Sequence, residues 1–373
     1  MFRTAVVALV TLSVWLAGSA QAQGTLAKWT FDEDMATWQS VDPAAKLQVT
    51  KDQPAVRIEG MGVAEYACEI TAGKLAGLMT EVTADLAKAK SLRFWLRTST
   101  PTVLILTLGE KDGSSYIAAF SSLPDVWQDI SLDFSSFALS DDSQDENNLL
   151  DPGQIASLGL VDVSSFLVDL AAKAPFLIPP ELGPRKLWLD DVSVDSEPVL
   201  PRWEAAEVGG LKGVRLESFE SLPLQWLMIS GGATKIAYDD QVHTHGNLSL
   251  RVTYDLPAGK LVGMLTGPAT APIAKALRLR LSVRSEAATT LMVGLKEKDG
   301  SQYNYPLPVA AGQELRVVDL PLTEFKLGDD SADENGKLDL GQVSEFSVSD
   351  MSGILGQPVG HNTLWLDDIL FIE

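Results

Sequence analysis

The chain has 373 residues, and its 50 acidic side chains outnumber 29 basic ones to give a formal net charge of −21 at pH 7. Such a surface repels nucleic acid and anionic membrane and favours cations, neutral ligands or basic partners. The single cysteine, Cys68, excludes an intrachain disulfide.

At the N-terminus Arg3 precedes the largely apolar run Ala5 to Ala17, and Ala20-Gln21-Ala22 follows. This is the pattern of a secretory signal peptide over 1–22, with cleavage expected near Ala22-Gln23. The run is shorter than the roughly 20 residues a membrane helix needs. No later stretch is long and apolar enough to span a bilayer, so a secreted or periplasmic product without a transmembrane segment is expected.

Beyond the leader the sequence repeats itself. Leu108-Gly-Glu-Lys-Asp-Gly-Ser-Ser-Tyr116 returns as Leu295-Lys-Glu-Lys-Asp-Gly-Ser-Gln-Tyr303, and Leu187-Trp-Leu-Asp-Asp-Val192 returns as Leu364-Trp-Leu-Asp-Asp-Ile369. The acidic stretch Leu139–Ile155 matches Leu327–Val343, and Phe31 matches Phe219. The matches keep their order, which marks two copies of one domain: 25–195 and 214–373, with a Pro-containing linker over 196–213.

Within each copy the period is two. Tyr66, Cys68 and Ile70 alternate with polar or small residues, which places the thiol on the apolar face of a strand, where it is expected to be inert. Leu92, Phe94 and Leu96 alternate likewise, as do Leu248 to Leu256 and Leu277, Leu279, Leu281 and Val283. Asp112-Gly113 and Asp299-Gly300 sit between strand-like runs and predict hairpins, because Gly accepts the positive φ of a tight turn. Many short strands and few helical stretches predict an all-β chain of two tandem antiparallel β-sandwiches.

The order of motifs carries a resemblance. Each copy opens on Phe31-Asp32 or Phe219-Glu220, passes through the Glu-Lys-Asp-Gly-Ser hairpin and an acidic loop, and closes on Leu-Trp-Leu-Asp-Asp. This resembles the galactose-binding-like jelly rolls, in particular carbohydrate-binding modules of the family 11 type and complex I intermediate-associated protein 30 domains. The resemblance implies a jelly roll with adjacent first and last strands and a concave glycan-binding face, although such domains also serve as protein-recognising modules. It also implies a structural Ca²⁺ held by Asp32, Asp190 and Asp191, and again by Glu220, Asp367 and Asp368, since hard oxygen ligands suit that ion. The alternative is that one Asp of each pair caps a turn and the other is solvated.

Two further regions present candidates. The loop Asp329, Asp330, Asp333, Glu334, Asn335, Gly336, Asp339 looks like part of an EF-hand. With Gly336 at loop position six, however, Ser331 and Gln342 fall where carboxylates are required, so a solvated acidic loop is expected. With Leu92, Phe94 and Leu96 turned inward, Arg93, Trp95 and Arg97 point outward, and Arg278, Arg280 and Arg284 do so in the second copy. Together with Tyr116, Tyr303 and Tyr305 they form a candidate ligand face, where Trp stacks on a sugar ring and guanidinium groups bond hydroxyls. The competing expectation is that these arginines pair with acidic residues while other parts of the chain cover Trp95.

No nucleophile elbow, zinc-protease motif, phosphate loop or Cys-His pair is present. His243-x-His245 offers two metal ligands without a third. Two similar domains without chemistry specific to either read as a binding protein, with carbohydrate as the expected partner. An adhesive envelope protein recognising another protein is the alternative, and a glycoside hydrolase with unrecognised carboxylates is the third reading. Finally, the first copy carries an apolar insertion, Phe166–Pro180. It is costly to leave in water, so it is expected to pack on a sheet edge or on the second copy.

Overall fold

A computed structural model describes residues 24–52, 55–58, 60–199, 203–220, 226–228, 234–267 and 271–373, and the expected signal peptide lies outside the described residues. The first half contains β1 (Thr25–Trp29), β2 (Gln39–Ser40), β3 (Lys46–Thr50), β4 (Val63–Ile70), β5 (Ala76–Glu81), β6 (Ser91–Thr98), β7 (Thr102–Glu110), β8 (Ser115–Ser122), β9 (Gln128–Asp133), β10 (Ala138–Leu139), β11 (Ile155–Asp162), helix α1 (Ser164–Lys173) and β12 (Gly183–Asp195). The second contains β13 (Glu204–Val208), β14 (Leu211–Glu217), β15 (Leu227–Met228), β16 (Lys235–Asp239), β17 (Ser249–Leu256), β18 (Val262–Thr266), β19 (Arg278–Ser285), β20 (Thr289–Glu297), β21 (Gln302–Val309), β22 (Arg316–Pro321), β23 (Lys326–Leu327), β24 (Val343–Asp350) and β25 (Gly360–Ile372).

Pairing within the halves is the same. One sheet of the first half runs β3-β4-β12-β6-β9 with β1 beside the end of β12, and the other runs β10-β8-β7-β11-β5-β2. The second half gives β16-β17-β25-β19-β22 with β14 beside the end of β25, and β23-β21-β20-β24-β18-β15. First and last strands are therefore neighbours in each half, as expected of a jelly roll.

Alternation explains why these segments pair. Leu92, Phe94 and Leu96 are buried between the two sheets, as are Leu279, Leu281 and Val283, and each such side chain contributes roughly 2 kcal/mol. Leu277 departs from the expected pattern and is 65% exposed. It precedes β19, where its N–H and C=O bond to Ile372 and Leu322 and fix the strand entry instead of adding to the core. Both Asp-Gly steps form hairpin turns, with φ of 98° at Gly113 and 94° at Gly300.

Two non-glycine positions in each half hold positive φ at matching places: Phe31 (56°) and Phe219 (58°), and Asp191 (48°) and Asp368 (49°). The aspartates sit where β12 and β25 shift register against β6 and β19, so each is the extra residue of a bulge. Asp tolerates this conformation better than a branched side chain would. The bulge sends Asp190 and Asp367 inward, to 5% and 0% exposure.

The expected linker is shorter than its sequence suggested. Glu204–Val208 pairs with Leu211–Arg215 as a hairpin, turning at Gly209 and Gly210, so β13 and the start of β14 belong to the second sandwich. The insertion packs on the second half as expected. Phe176 C=O accepts the Leu261 N–H at 2.9 Å, Leu177 C=O accepts Lys260 Nζ at 3.0 Å, and Ile178 packs on the second core.

Candidate functional site

The arginine and tryptophan residues of β6 lie outward as expected, yet the aromatic surface is already occupied. The Arg57 guanidinium lies 4.7 Å from the centroid of Trp95. Arg97 covers Trp188 at 5.3 Å, and Arg284 covers Trp365 at 4.0 Å. Trp188 also packs with Ala55, Val63 and Trp127 in a small cluster outside the sandwich, and its indole N–H donates to Glu65. The arginines pair with carboxylates: Arg93 with Asp195 at 3.9 Å, Arg97 with Asp125 at 3.4 Å, and Arg280 with both oxygens of Asp319 at 2.8 Å. Arg278 stands half-exposed at the start of β19 beside this last pair. This face is a set of self-satisfied charges over tryptophan rings.

The tyrosines lie elsewhere. Tyr116 and Tyr303 belong to β8 and β21 in the opposite sheets and turn into the cores, at 1% and 3% exposure. They are not on the arginine face, because the chain crosses to the other sheet between β6 and β7, and between β19 and β20, before the hairpin is made. Tyr305 packs its ring on Phe325 at 5.5 Å.

The strand-end carboxylates are satisfied differently in the two halves. Asp190 and Asp191 both accept from Arg57, and Asp191 lies 3.1 Å from Lys28. Burial, with Asp191 adding to it, pushes the Asp190 carboxyl up to about 6 against the pull of Arg57. In the second half Asp368 bonds Arg215 at 2.7 Å. Asp367 Oδ2 accepts the N–H groups of Thr244 and His245 and the Thr244 hydroxyl, while its buried Oδ1 has no hydrogen-bond donor. Glu220 caps the chain by accepting from the N–H groups of Asn247 and Leu248. Asp32 is half-buried in the turn after Phe31. Among the described residues, neither set gathers three carboxylates at metal-ligand spacing. In the first half, Arg57 and Lys28 supply the positive charge a cation would bring. In the second half, the orphaned oxygen of Asp367 is one that a hard cation would satisfy. His243 and His245 fall in the loop before β17, not on a strand.

Two other acidic groups do converge. Glu110, Asp112 and Asp145 bring carboxylate oxygens within 4.8 Å of one another, and Glu297, Asp299 and Asp333 repeat this. Such groups can hold a metal ion. The acidic loop is thus docked against the hairpin rather than merely solvated: Tyr116 donates to Asp145 and Tyr303 to Asp333. Burial and this carboxylate contact raise both phenols above their usual range. Glu110 Oε2 accepts from Ser114 and Oε1 from the Asp151 N–H; Glu297 does the same with Ser301 and Asp339. The buried glutamate was missed in the sequence because it sits among many acids. Its recurrence as the first residue of Glu-Lys-Asp-Gly-Ser was the available signal.

A different face of the second sandwich is polar and half-exposed. With Leu291, Val293 and Leu295 in the core, Gly294 and Lys296 of β20 face outward, beside Gln302 and Asn304 of β21 and Glu345 and Ser347 of β24. A Cβ at Gly294 would meet Ser347 Oγ at 2.4 Å, Asn304 Oδ1 at 3.3 Å and Gln302 Nε2 at 3.4 Å, so the glycine lets these polar side chains close over the strand, where Gln302 Nε2 donates to Asn304 Oδ1 at 3.2 Å. Burial raises the Glu345 carboxyl, opposed by Lys296. At the matching points the first half has Thr107, Gly109, Ser115, Ile117, Ser157 and Gly159.

With pairing, bulges and faces in hand, the architecture is decided. The chain is two jelly rolls in tandem. No protein-family model matches it, and no curated protein matches it by sequence. Among solved structures it is similar to the family 11 carbohydrate-binding module of a cellulosomal cellulase of Clostridium thermocellum, at 19% identity over 45% of this chain and 96% of that one, TM-score 0.35. It is also similar to the N-terminal tandem of family 22 modules from Paenibacillus barcinonensis Xyn10C, at 12% identity over 96% of this chain and 100% of that one, TM-score 0.32.

Proposed function

We propose that the chain is an exported, non-catalytic carbohydrate-binding protein, with the β18-β24-β20-β21 face of the second sandwich as its glycan site. The observation that carries this reading is the polar cluster over Gly294, made by Lys296, Gln302, Asn304, Glu345 and Ser347 on three adjacent strands. Amide and carboxylate groups at fixed spacing on rigid strands suit the paired hydroxyls of a sugar ring. The arginine and tryptophan face supports binding less well, because its rings are covered by guanidinium groups of the chain itself. Export rests on the leader pattern at the N-terminus.

Affinity electrophoresis against neutral and acidic polysaccharides tests the reading. Retardation by a neutral polysaccharide is expected, lost in Asn304→Ala and kept in Trp95→Ala, with no reducing sugar released. Indifference of the wild type to every glycan would defeat it and favour a protein-recognising envelope module.

We infer also that any structural Ca²⁺ belongs to the second strand-end or to the two hairpin clusters, not to the first strand-end, which Arg57 neutralises. Oxygen-only ligands support Ca²⁺ over softer metals.

A further inference from the structure

A cleft of about 420 Å³, open to solvent on one side, lies between the two sandwiches. Its first-half wall comes from Thr100 to Val103 at the start of β7, Ser121 at the end of β8, and Leu167 of the inserted helix α1. Met228, Ile236 and Thr253 face them from the second half. The joint is held where Ser121 Oγ accepts the Met228 N–H at 2.9 Å.

The chemistry of the lining restricts what can enter. Arg185 lies 3.6 Å from Asp162 and donates to Thr100 Oγ1 and the Glu181 C=O, so its charge is answered within the protein. His361 Nδ1 lies 3.1 Å from Asp255. Lys235 also lines the cavity and is exposed to solvent. Beside the exposed Glu181 at the rim, what remains is aliphatic surface from Val103, Leu167, Met228 and Ile236, with the hydroxyls of Thr100 and Ser121, which accept from Arg185 and the Met228 N–H and keep their own O–H to donate, and that of Thr253, which lies 3.3 Å from Thr363 Oγ1. Among the described residues no Trp, Tyr or Phe ring lines the cavity, and the one imidazole, His361, is engaged with Asp255, so the usual stacking platform for a sugar is missing.

Cavities of this size between domains, mostly apolar with a few polar groups, are where small molecules bind. We infer that this cavity takes a neutral amphiphile, with an aliphatic body against Leu167, Met228 and Ile236 and a hydroxylated head at Thr100, Ser121 and Thr253. The alkyl glycosides represent that class. The site is separate from the outer glycan face. Because its walls come from both halves, a bound molecule stabilises their joint by mass action.

Calorimetric titration of the full chain with n-octyl β-D-glucoside, kept below its micelle concentration, tests this, with glucose and octanoate as comparisons. One site per chain and a melting temperature that rises with the glucoside are expected, with glucose and octanoate binding more weakly. Leu167→Trp and Val103→Phe fill the cavity from two elements, and each should weaken binding by roughly tenfold or more. If one of them fails to give a wild-type circular-dichroism spectrum, the other decides. Absence of binding, binding untouched by the filling variants, or a preference for octanoate would each overturn the inference. Loss of glucoside binding in Asn304→Ala with no effect of Leu167→Trp would assign the glucoside to the outer face and leave the cavity without its proposed ligand.

Discussion

Thr107 and Gly294 occupy the same point of the same strand in the two sandwiches, yet their neighbours differ completely. In the first half the surrounding positions are Gly109, Ser115, Ile117, Ser157 and Gly159; in the second they are Lys296, Gln302, Asn304, Glu345 and Ser347. The inward-facing residues in the middle of these strands remain apolar in both halves, apart from the tyrosines, and the buried Glu110 and Glu297 recur at the strand ends, because the core tolerates little change of volume or polarity. Outward positions carry no such constraint, so divergence collects there. The strand-ends teach the same lesson. Both keep the bulged Asp pair, but one half answers the buried carboxyl with Arg57 and the other with backbone N–H groups from Thr244 and His245.

The largest expected effect sharpens that second contrast. Arg57→Ala leaves Asp190 buried beside Asp191 without its cation, and should cost about 3 kcal/mol in urea unfolding. Arg215→Ala exposes only the partly solvated Asp368 and should cost about 1 kcal/mol. Equal losses would show that the two strand-ends are electrostatically alike after all. Tyr116→Phe and Tyr303→Phe probe a feature the halves share: each removes a hydrogen bond to a loop carboxylate and should cost about 1 kcal/mol, the same within error.

A smaller effect lies in pH. Asp190 has its carboxyl raised to about 6 from the ordinary aspartate value of 3.8. The native state therefore binds this proton more tightly than the unfolded chain, and its contribution to stability falls as pH rises from about 4 to 6. Asp190→Asn should remove that slope, so the variant gains on the wild type across this window and then levels off. A wild-type-minus-variant difference that is flat in pH would contradict the assignment. The smallest expected effect is chelation: exhaustive removal of Ca²⁺ should lower the melting temperature, and Asp367→Asn or the pair Asp112→Asn/Asp299→Asn, whichever site holds the ion, should diminish the shift while Asp190→Asn leaves it. An unchanged melt would exclude a structural ion.

Much of the fold was legible because strands write a period of two into the sequence and duplication writes it twice. Leu92, Phe94 and Leu96 needed no structure to be placed in the core. The covering of Trp95 and Trp188 was not legible, since Ala55 and Arg57 lie in a segment without regular period. Both Asp-Asp pairs were visible as repeats, but only the bulge decides that Asp190 and Asp367 turn inward. Tyr116 falls away from the arginine face because consecutive strands need not share a sheet: β6 lies in one layer, and β7 and β8 in the other. The polar set at Gly294 was passed over because Lys296, Gln302, Asn304 and Glu345 look like ordinary surface until pairing brings three strands together.

One backbone carries two different outer faces, and the second is the one proposed to bind glycan. Affinity electrophoresis of the full chain on a retarding neutral polysaccharide, comparing Gln302→Ala/Asn304→Ala with the matching Ser115→Ala/Ile117→Ala, tests it directly. The first pair should abolish retardation and the second leave it intact; equal retardation of both variants, or loss only in the second, would contradict the claim.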